Sequence, residues 1–387
     1  MHALLLITLW SSLALILYAY AGYAVLVSLC ARLFGRTPES PAVADEELPF
    51  LSVLVAAYNE AAVIGERIEN ALRMDYPADR FEVVIASDAS SDDTCEIVRR
   101  CRDPRVRLLA YETRSGKAAV LNRAFQELRG DVVVLSDANT FTEPQAARRL
   151  ARWFQDPSVG VVSGRLILTD PATGTNVDSI YWRYETFLKR CENRLNALLG
   201  ANGAIYAIRR TAFTGIRRNT AVDDFVIPLL ARIRTGCRVI YDADAVAFEE
   251  TPADVRVEFP RRSRIGAGGF QSLRVLRPLL DPRRGWIAFT FWSHKVLRWT
   301  CPFFLVGALA SSLLLARDSS VATAVLLAQL GGYGVAAAGH ALRGARGPAA
   351  RVARLTTMFA SMNLALLVGF WMWAAGRQGG VWQRTAR

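Results

Sequence analysis

The chain is short of lysine, of paired cysteines and of nucleotide-loop glycines. Of its 47 basic residues, 3 are Lys and the rest Arg, within 387 residues. Its six cysteines include no Cys-x-x-Cys pair, which argues against a structural zinc module and a disulfide framework. No Gly-x4-Gly-Lys-Ser/Thr and no Gly-x-Gly-x-x-Gly occurs, so neither a P-loop nor a dinucleotide fold is expected. Acidic residues are absent from 1–36, and 286–387 hold only Asp318. What is abundant is apolar: 52% hydrophobic against 21% charged residues, which excludes a disordered chain, a collagen and a small disulfide scaffold.

A formal net charge of +12 first suggests a nucleic-acid partner. Its distribution points elsewhere. Residues 1–36 carry +2, residues 286–387 carry +9, and the 249 residues between carry +1. A nearly neutral middle with no RNA or DNA motif predicts no nucleic-acid partner.

The basic ends are also the apolar ends. Ala3–Ala31, Trp299–Ala316, Ser319–Leu342 and Leu355–Gly376 run without formal charge, each close to the roughly 20 residues of one membrane crossing. The first run lacks a basic segment before it, which favours an anchor over a cleaved signal. Arg32, Arg36, Lys295, Arg298, Arg343, Arg346, Arg351 and Arg354 fall on one side of these runs, and Arg317, Arg377, Arg384 and Arg387 on the other. The excess predicts a multi-pass protein of the inner (plasma) membrane with a cytoplasmic middle domain. Trp286–Arg298 mixes aromatic and basic residues and reads as an amphipathic interfacial helix over 285–298. The expected domains are therefore an N-terminal span in 1–36, a cytoplasmic domain in 37–284, that interfacial helix, and a C-terminal region of about three helices in 299–387.

In the middle, short apolar runs alternate with helical stretches. Strands are expected over Leu51–Ala56, Phe81–Ala86, Val106–Leu109, Val132–Leu135 and Val159–Ser163, and helices over Ala62–Arg73, Asp92–Cys101, Lys117–Leu128 and Gln145–Phe154. This alternation predicts an α/β domain with a mostly parallel sheet, whose ligands bind beyond the carboxyl ends of the strands. Polar groups follow four successive strands: Ala57-Tyr58-Asn59-Glu60, Ser87-Asp88, Arg114-Ser115-Gly116-Lys117 and Ser136-Asp137-Ala138-Asn139. In a chain that otherwise uses Arg, Lys117 at a helix start marks a place where a compact cation suits an acidic ligand. Asp137 and Asn139 can both offer oxygen to one divalent ion. Asp223-Asp224 precedes an apolar helical run, where one Asp can cap and the other act.

The order AAYNE, SDASSDDT, GKxxxLN, SDAN, GAIYAIRR and VDDFVIPLL resembles the family 2 inverting glycosyltransferases over about Leu51 to Gln271. The membrane layout is similar to that of poly-N-acetylglucosamine, hyaluronan and cellulose synthases and of ceramide glucosyltransferase. The resemblance implies a GT-A fold, a Rossmann-like, mostly parallel sheet, joined to transmembrane helices. It implies that Ala57, Tyr58 and Glu60 border the nucleotide, that Asp88 contacts the uridine, and that Lys117 lies near nucleotide or sugar. Asp137 and Asn139 stand at the family's Asp-x-Asp, binding Mg²⁺ or Mn²⁺, with Asn replacing the second Asp. Gly203 and Arg209 fall in the acceptor-side strand, and Asp224, beside Asp223, stands at the general base.

The family's Gln-x-x-Arg-Trp reads Arg261-Arg262-Ser263-Arg264-Ile265 here. Arg264 is kept, Arg261 replaces Gln, and Ile265 replaces the Trp that borders the acceptor sugar in processive members. Arg261, Arg264 and Gln271 are thus expected on the acceptor or diphosphate side, with Phe270 or Gln271 a substitute for the lost Trp. The resemblance implies transfer from a UDP-sugar, UDP-GlcNAc or UDP-Glc, to a growing exopolysaccharide or cell-envelope glycan. Two other readings stay open: single transfer to a lipid acceptor, and a non-catalytic membrane scaffold. Membrane lipid is an implied partner, and a second copy of the chain or an export partner could complete an exit path.

Overall fold

The structure is a computed structural model that describes residues 1–169, 180–250, 255–341 and 347–377. It divides into two units. The sequence boundaries at 36/37 and 284/285 are not where the packing divides. Residues 27–36 belong to the α/β unit, and 255–271 belong with the helices.

The α/β unit is built on an eight-stranded sheet. Its strands are β1 (Leu51–Ala57), β2 (Phe81–Asp88), β3 (Val106–Tyr111), β4 (Val132–Asp137), β5 (Phe141–Thr142), β6 (Val159–Thr169), β7 (Tyr206–Arg209) and β8 (Arg238–Glu250). Their spatial order is β3-β2-β1-β4-β7-β6-β8-β5. The half formed by β3, β2, β1 and β4 is wholly parallel. Every residue of β1 and β2 is buried, as the continuous Val/Leu/Ala/Ile runs require of strands covered on both faces. The second half departs from the mostly parallel expectation. β7 runs antiparallel to β4 and β6, and β5 antiparallel to β8, while β6 and β8 are parallel.

Register decides what the strands present. Ala57 of β1 pairs with Ser87, Ala56 pairs with Asp137, and Asp88 pairs with Tyr111. The polar ends of β1, β2 and β4 therefore reach one edge of the sheet together. The opposite edge is fastened by buried Glu82, which is 2% exposed. It accepts from Ser52 Oγ at 2.7 Å, the Arg129 N–H at 2.8 Å and Arg107 at 2.6 Å. Burial works to raise the Glu82 pKa, but these hydrogen bonds outweigh it and hold the carboxyl below its ordinary value. Its contribution is therefore complete at neutral pH and fades as pH falls through the lowered value. Glu82→Ala is expected to destabilise the unit by about 3 kcal/mol, because three donors lose one buried acceptor. Urea unfolding of the purified protein at pH 7 checks this.

Among the described residues, four helices are long and apolar enough to cross a membrane, over His2–Leu33, Trp286–Leu315, Ser320–Gly339 and Pro348–Ala374, and most of their length belongs to the helical unit. Its small core gathers Leu9, Ala308, Leu315 and Ala322. Gly307 lies so close to Ser12 that an added Cβ would meet the hydroxyl at 3.1 Å. Small residues of this kind let helix backbones approach. Leu4, Ile7, Leu313, Leu314, Leu327 and Trp371 point outward, each more than half exposed. The first two helices each contain a π segment, Tyr18–Gly22 and Phe291–Val296. Tyr18 Oη and Ser293 Oγ hydrogen-bond between these segments at 2.9 Å.

The stretch 285–298 is not separate from the apolar helix that follows it. Trp286–Leu315 runs as one helix through its π segment, and His294 is 1% exposed rather than presented at a surface.

Candidate active site

The site assembles at the carboxyl edge of the parallel strands. The loops after β1 and β2 are laced together. The Asn59 N–H donates to Ser90 Oγ at 3.1 Å, the Ser91 N–H to Asn59 Oδ1 at 2.8 Å, and the Glu60 N–H to Thr94 Oγ1 at 2.8 Å. Ala57 is buried at the end of β1. The ring of Tyr58 carries the Arg114 guanidinium 3.6 Å from its centroid, so an aromatic face and a cation flank this loop.

Asp88 is 2% exposed, and its carboxylate ties down the next loop. It accepts from the Ser115 N–H at 2.7 Å and the Gly116 N–H at 2.8 Å. Gly116 takes φ 87°, a conformation open to glycine and strained for other residues. That turn starts helix Lys117–Ala124 and sets the direction of Lys117.

Lys117 is the centre of the constellation. Its ammonium donates to Asp137 Oδ1 at 2.9 Å and lies 3.3 Å from Asp223 Oδ2. Burial opposes its charge, but Asp137 and Asp223 more than offset this, and its pKa lies above the ordinary lysine value. Asp223 and Asp224 open helix Asp223–Thr235, where the helix dipole favours negative charge. The carboxyl of Asp224 is pushed up to about 6, first by burial and then by Asp223, against the opposing pull of Lys117 and Lys189. A carboxylate so tuned is half ionised close to neutrality, which suits a general base.

Gly203 meets Asp224 directly. Its N–H donates to Asp224 Oδ2 at 3.2 Å, and an added Cβ would lie 3.1 Å from that oxygen. Gly203→Ala is therefore expected to push the carboxylate aside with little loss of stability. Because a misplacement of about 1 Å can cost about a hundredfold in rate, turnover should fall about ten- to a hundredfold. Steady-state kinetics beside a thermal melt would check this.

Sequence reasoning missed three neighbours. Lys189 donates to Asn202 beside Gly203 and lowers the Asp224 pKa. The scarcity of lysine that singled out Lys117 would have found it. Tyr206 Oη is buried without a hydrogen-bond partner among the described residues. Its pKa is raised by burial and by Asp223, Asp224 and Asp137. Glu249, at the end of β8, accepts from Asn139 Nδ2 at 3.0 Å. Tyr206 lies within the GAIYAIRR stretch, whereas no local pattern announces Glu249.

Arg209 does not join the site. It pairs with Val132 at the amino end of β4, while Asp137 ends the same strand. Its guanidinium donates to the Phe154 carbonyl at 2.9 Å and lies over the Phe154 ring. Arg209 is an anchor of the far edge, because antiparallel β7 carries it away from Gly203. Arg261, Arg264 and Gln271 lie on helix Val255–Val275, in the stretch that belongs to the helical unit. Phe270 does not offer a ring to a sugar. It is 4% exposed and packs on Phe370 and Trp373, with centroids 5.2 and 6.0 Å away.

Asp137 ends β4 and Asn139 follows two residues on, so two side chains able to offer hard oxygen atoms stand at one strand end. Among the described residues, no group of three or more His, Cys, Asp or Glu could hold a metal alone. This fits Mg²⁺ or Mn²⁺, which typically keep one or two protein carboxylates and take further oxygens from substrate phosphates and water.

Residues 52–215 match the model of Glycosyl transferase family 2, so the chain carries a family 2 glycosyltransferase domain. It is similar to the Probable glycosyltransferase YdaM of Bacillus subtilis (strain 168), 27% identical over 63% of this chain and 61% of that protein. It is also similar to the Poly-beta-1,6-N-acetyl-D-glucosamine synthase of Staphylococcus aureus (strain COL), 25% identical over 61% of this chain and 58% of that one. The chain thus spans about three fifths of the length of these relatives. Among solved structures, the mannosyltransferase PcManGT from Pyrobaculum calidifontis, in complex with GDP-Man and Mn²⁺, shares the fold with a TM-score of 0.71. It is 24% identical, over 95% of this chain and 98% of that one. The architecture is that of GT-A glycosyltransferases with added apolar helices.

Proposed function

We propose that the protein is a membrane-embedded inverting glycosyltransferase that moves a sugar from a UDP-sugar, UDP-GlcNAc or UDP-Glc, onto a growing cell-envelope glycan at the cytoplasmic face. The observation that carries this reading is the constellation of Asp137, Lys117, Asp223 and Asp224 at the carboxyl edge of the sheet. Ala57, Tyr58, Glu60 and Asp88 border the nucleotide. Asp137 and Asn139 would hold Mg²⁺ or Mn²⁺, which would supply Lewis-acid stabilisation of the leaving diphosphate. Asp224 takes the proton of the acceptor hydroxyl as its oxygen attacks the anomeric carbon. The bond from that carbon to the diphosphate oxygen breaks on the opposite face, so the configuration inverts. The Lys117 ammonium counters the charge that develops on the diphosphate. No covalent sugar intermediate forms, so one carboxylate base suffices.

The relatives support a glycan product, since one of them is named for making poly-N-acetylglucosamine. A second reading, transfer of one sugar to a lipid acceptor, is favoured by Ile265, which stands where processive members hold a Trp and is 43% exposed. The solved mannosyltransferase binds GDP-Man, so the donor screen includes that nucleotide sugar. Purified protein with Mn²⁺ should release UDP from one UDP-sugar and not from the others, and product sizing separates a glycan ladder from a single glycolipid. Release of GDP from GDP-mannose alone would overturn the UDP-sugar assignment, and release of no nucleotide would favour the scaffold.

A further inference from the structure

An Asn at a metal-binding position poses a problem that an Asp does not. A carboxylate offers equivalent oxygens on both branches. A carboxamide offers oxygen on one branch and an N–H donor on the other, and only the oxygen can face a cation. An Asn ligand therefore needs something to fix which way it points.

Glu249 meets that need. Asn139 lies in the turn after β4, and Glu249 lies near the carboxyl end of β8, which is parallel to β6 and antiparallel to β5. The pairing of Phe141 with Phe248 brings the end of β8 alongside the chain just after Asn139. Asn139 Nδ2 donates to Glu249 Oε1 at 3.0 Å. In the reversed orientation the amide oxygen would face a carboxylate oxygen at that distance, two acceptors with no proton between them. Hydrogen bonding thus selects the orientation in which the amide oxygen turns away from Glu249.

We propose that Glu249 is a positioning residue for the metal. By accepting the Asn139 amide hydrogen, it presents the Asn139 oxygen as a ligand and returns to the site's surroundings the negative charge that Asn139 lacks. Partners of this kind orient ligands and tune affinity, and their loss typically weakens metal binding about 10–100-fold. The inference rests on the proposed metal role of Asp137 and Asn139.

The test is Mn²⁺ uptake by the full-length purified protein in the presence of UDP, followed by the electron paramagnetic resonance signal of free Mn²⁺. It needs no turnover. Glu249→Leu and Glu249→Ala should each weaken Mn²⁺ binding at least about tenfold. Glu249→Gln, whose amide oxygen can still accept the Asn139 hydrogen, should retain more affinity than either. The double variant Asn139→Asp with Glu249→Leu should recover binding, because an Asp needs no orienting partner. A purely structural role for Glu249 would not give that rescue. Unchanged affinity in Glu249→Leu and Glu249→Ala, with wild-type protein binding normally, overturns this inference and leaves the proposed function standing. Failure of the double variant to recover binding also overturns it. Wild-type protein that takes up no Mn²⁺ with UDP overturns the metal-site reading, and this inference with it.

Discussion

Asp224→Asn should lower kcat by about 10²–10⁴-fold while leaving the KM for the nucleotide sugar nearly unchanged. The expectation follows from the assigned task. A general base contributes a factor of that order, and an amide cannot take the acceptor's proton. Asn keeps the shape of Asp and can still accept from Gly203 N–H, which lies 3.2 Å from Asp224 Oδ2. The donor pocket and the start of helix Asp223–Thr235 should therefore survive. The pH profile supplies a second reading of the same residue. Because the Asp224 carboxyl is pushed up to about 6, the base is ionised above that pH and protonated below it. The rate for the wild-type protein should then fall below about pH 6. Asp223→Asn removes a like charge that raises the Asp224 pKa, so its acid limb should move to lower pH. Normal turnover in Asp224→Asn would remove Asp224 from the mechanism.

Asp137→Ala is expected to lower turnover by about 10²–10³-fold, the scale for losing a preorganised group that stabilises charge in the transition state. Here two losses combine. On the proposed reading the metal would keep only the neutral Asn139 as a protein ligand, and Lys117 loses the carboxylate at 2.9 Å that helps to fix its ammonium. Mn²⁺ affinity should fall with turnover, and added Mn²⁺ should restore part of the rate. If the rate fell while Mn²⁺ affinity stayed unchanged, Asp137 would be an anchor for Lys117 rather than a metal ligand. UDP release measured across a Mn²⁺ titration separates the two outcomes.

The gathering of polar groups at the ends of β1, β2 and β4 is legible in the sequence. It consists of residues that directly follow strands, and strands recognised by runs such as Leu51–Ala56 locate their own ends. Parallel pairing then brings those ends to one edge without further information. The rest of the candidate site is less legible. Gly203 and Arg209 lie close in the sequence, yet Gly203 touches Asp224 while Arg209 anchors the far edge. Glu249 carries no motif, and only strand pairing brings it to Asn139. The basic and aromatic residues of 286–298 suggest a surface helix distinct from the span that begins at Trp299. The structure instead continues it through a π segment and buries His294.

The sequence by itself determined the class of protein: apolar helices with basic flanks, an α/β middle, and the order of polar groups that resembles a glycosyltransferase. Those features are local, since they depend on runs, periods and neighbours along one stretch of chain. Only the tertiary structure decided which of those groups act together. Lys117 meets Asp223, Gly203 meets Asp224 and Glu249 meets Asn139 across long intervals of sequence. The physical reason is strand direction. A parallel strand delivers its carboxyl end to the site and an antiparallel one its amino end. The sequence of β7 does not say which way it will run.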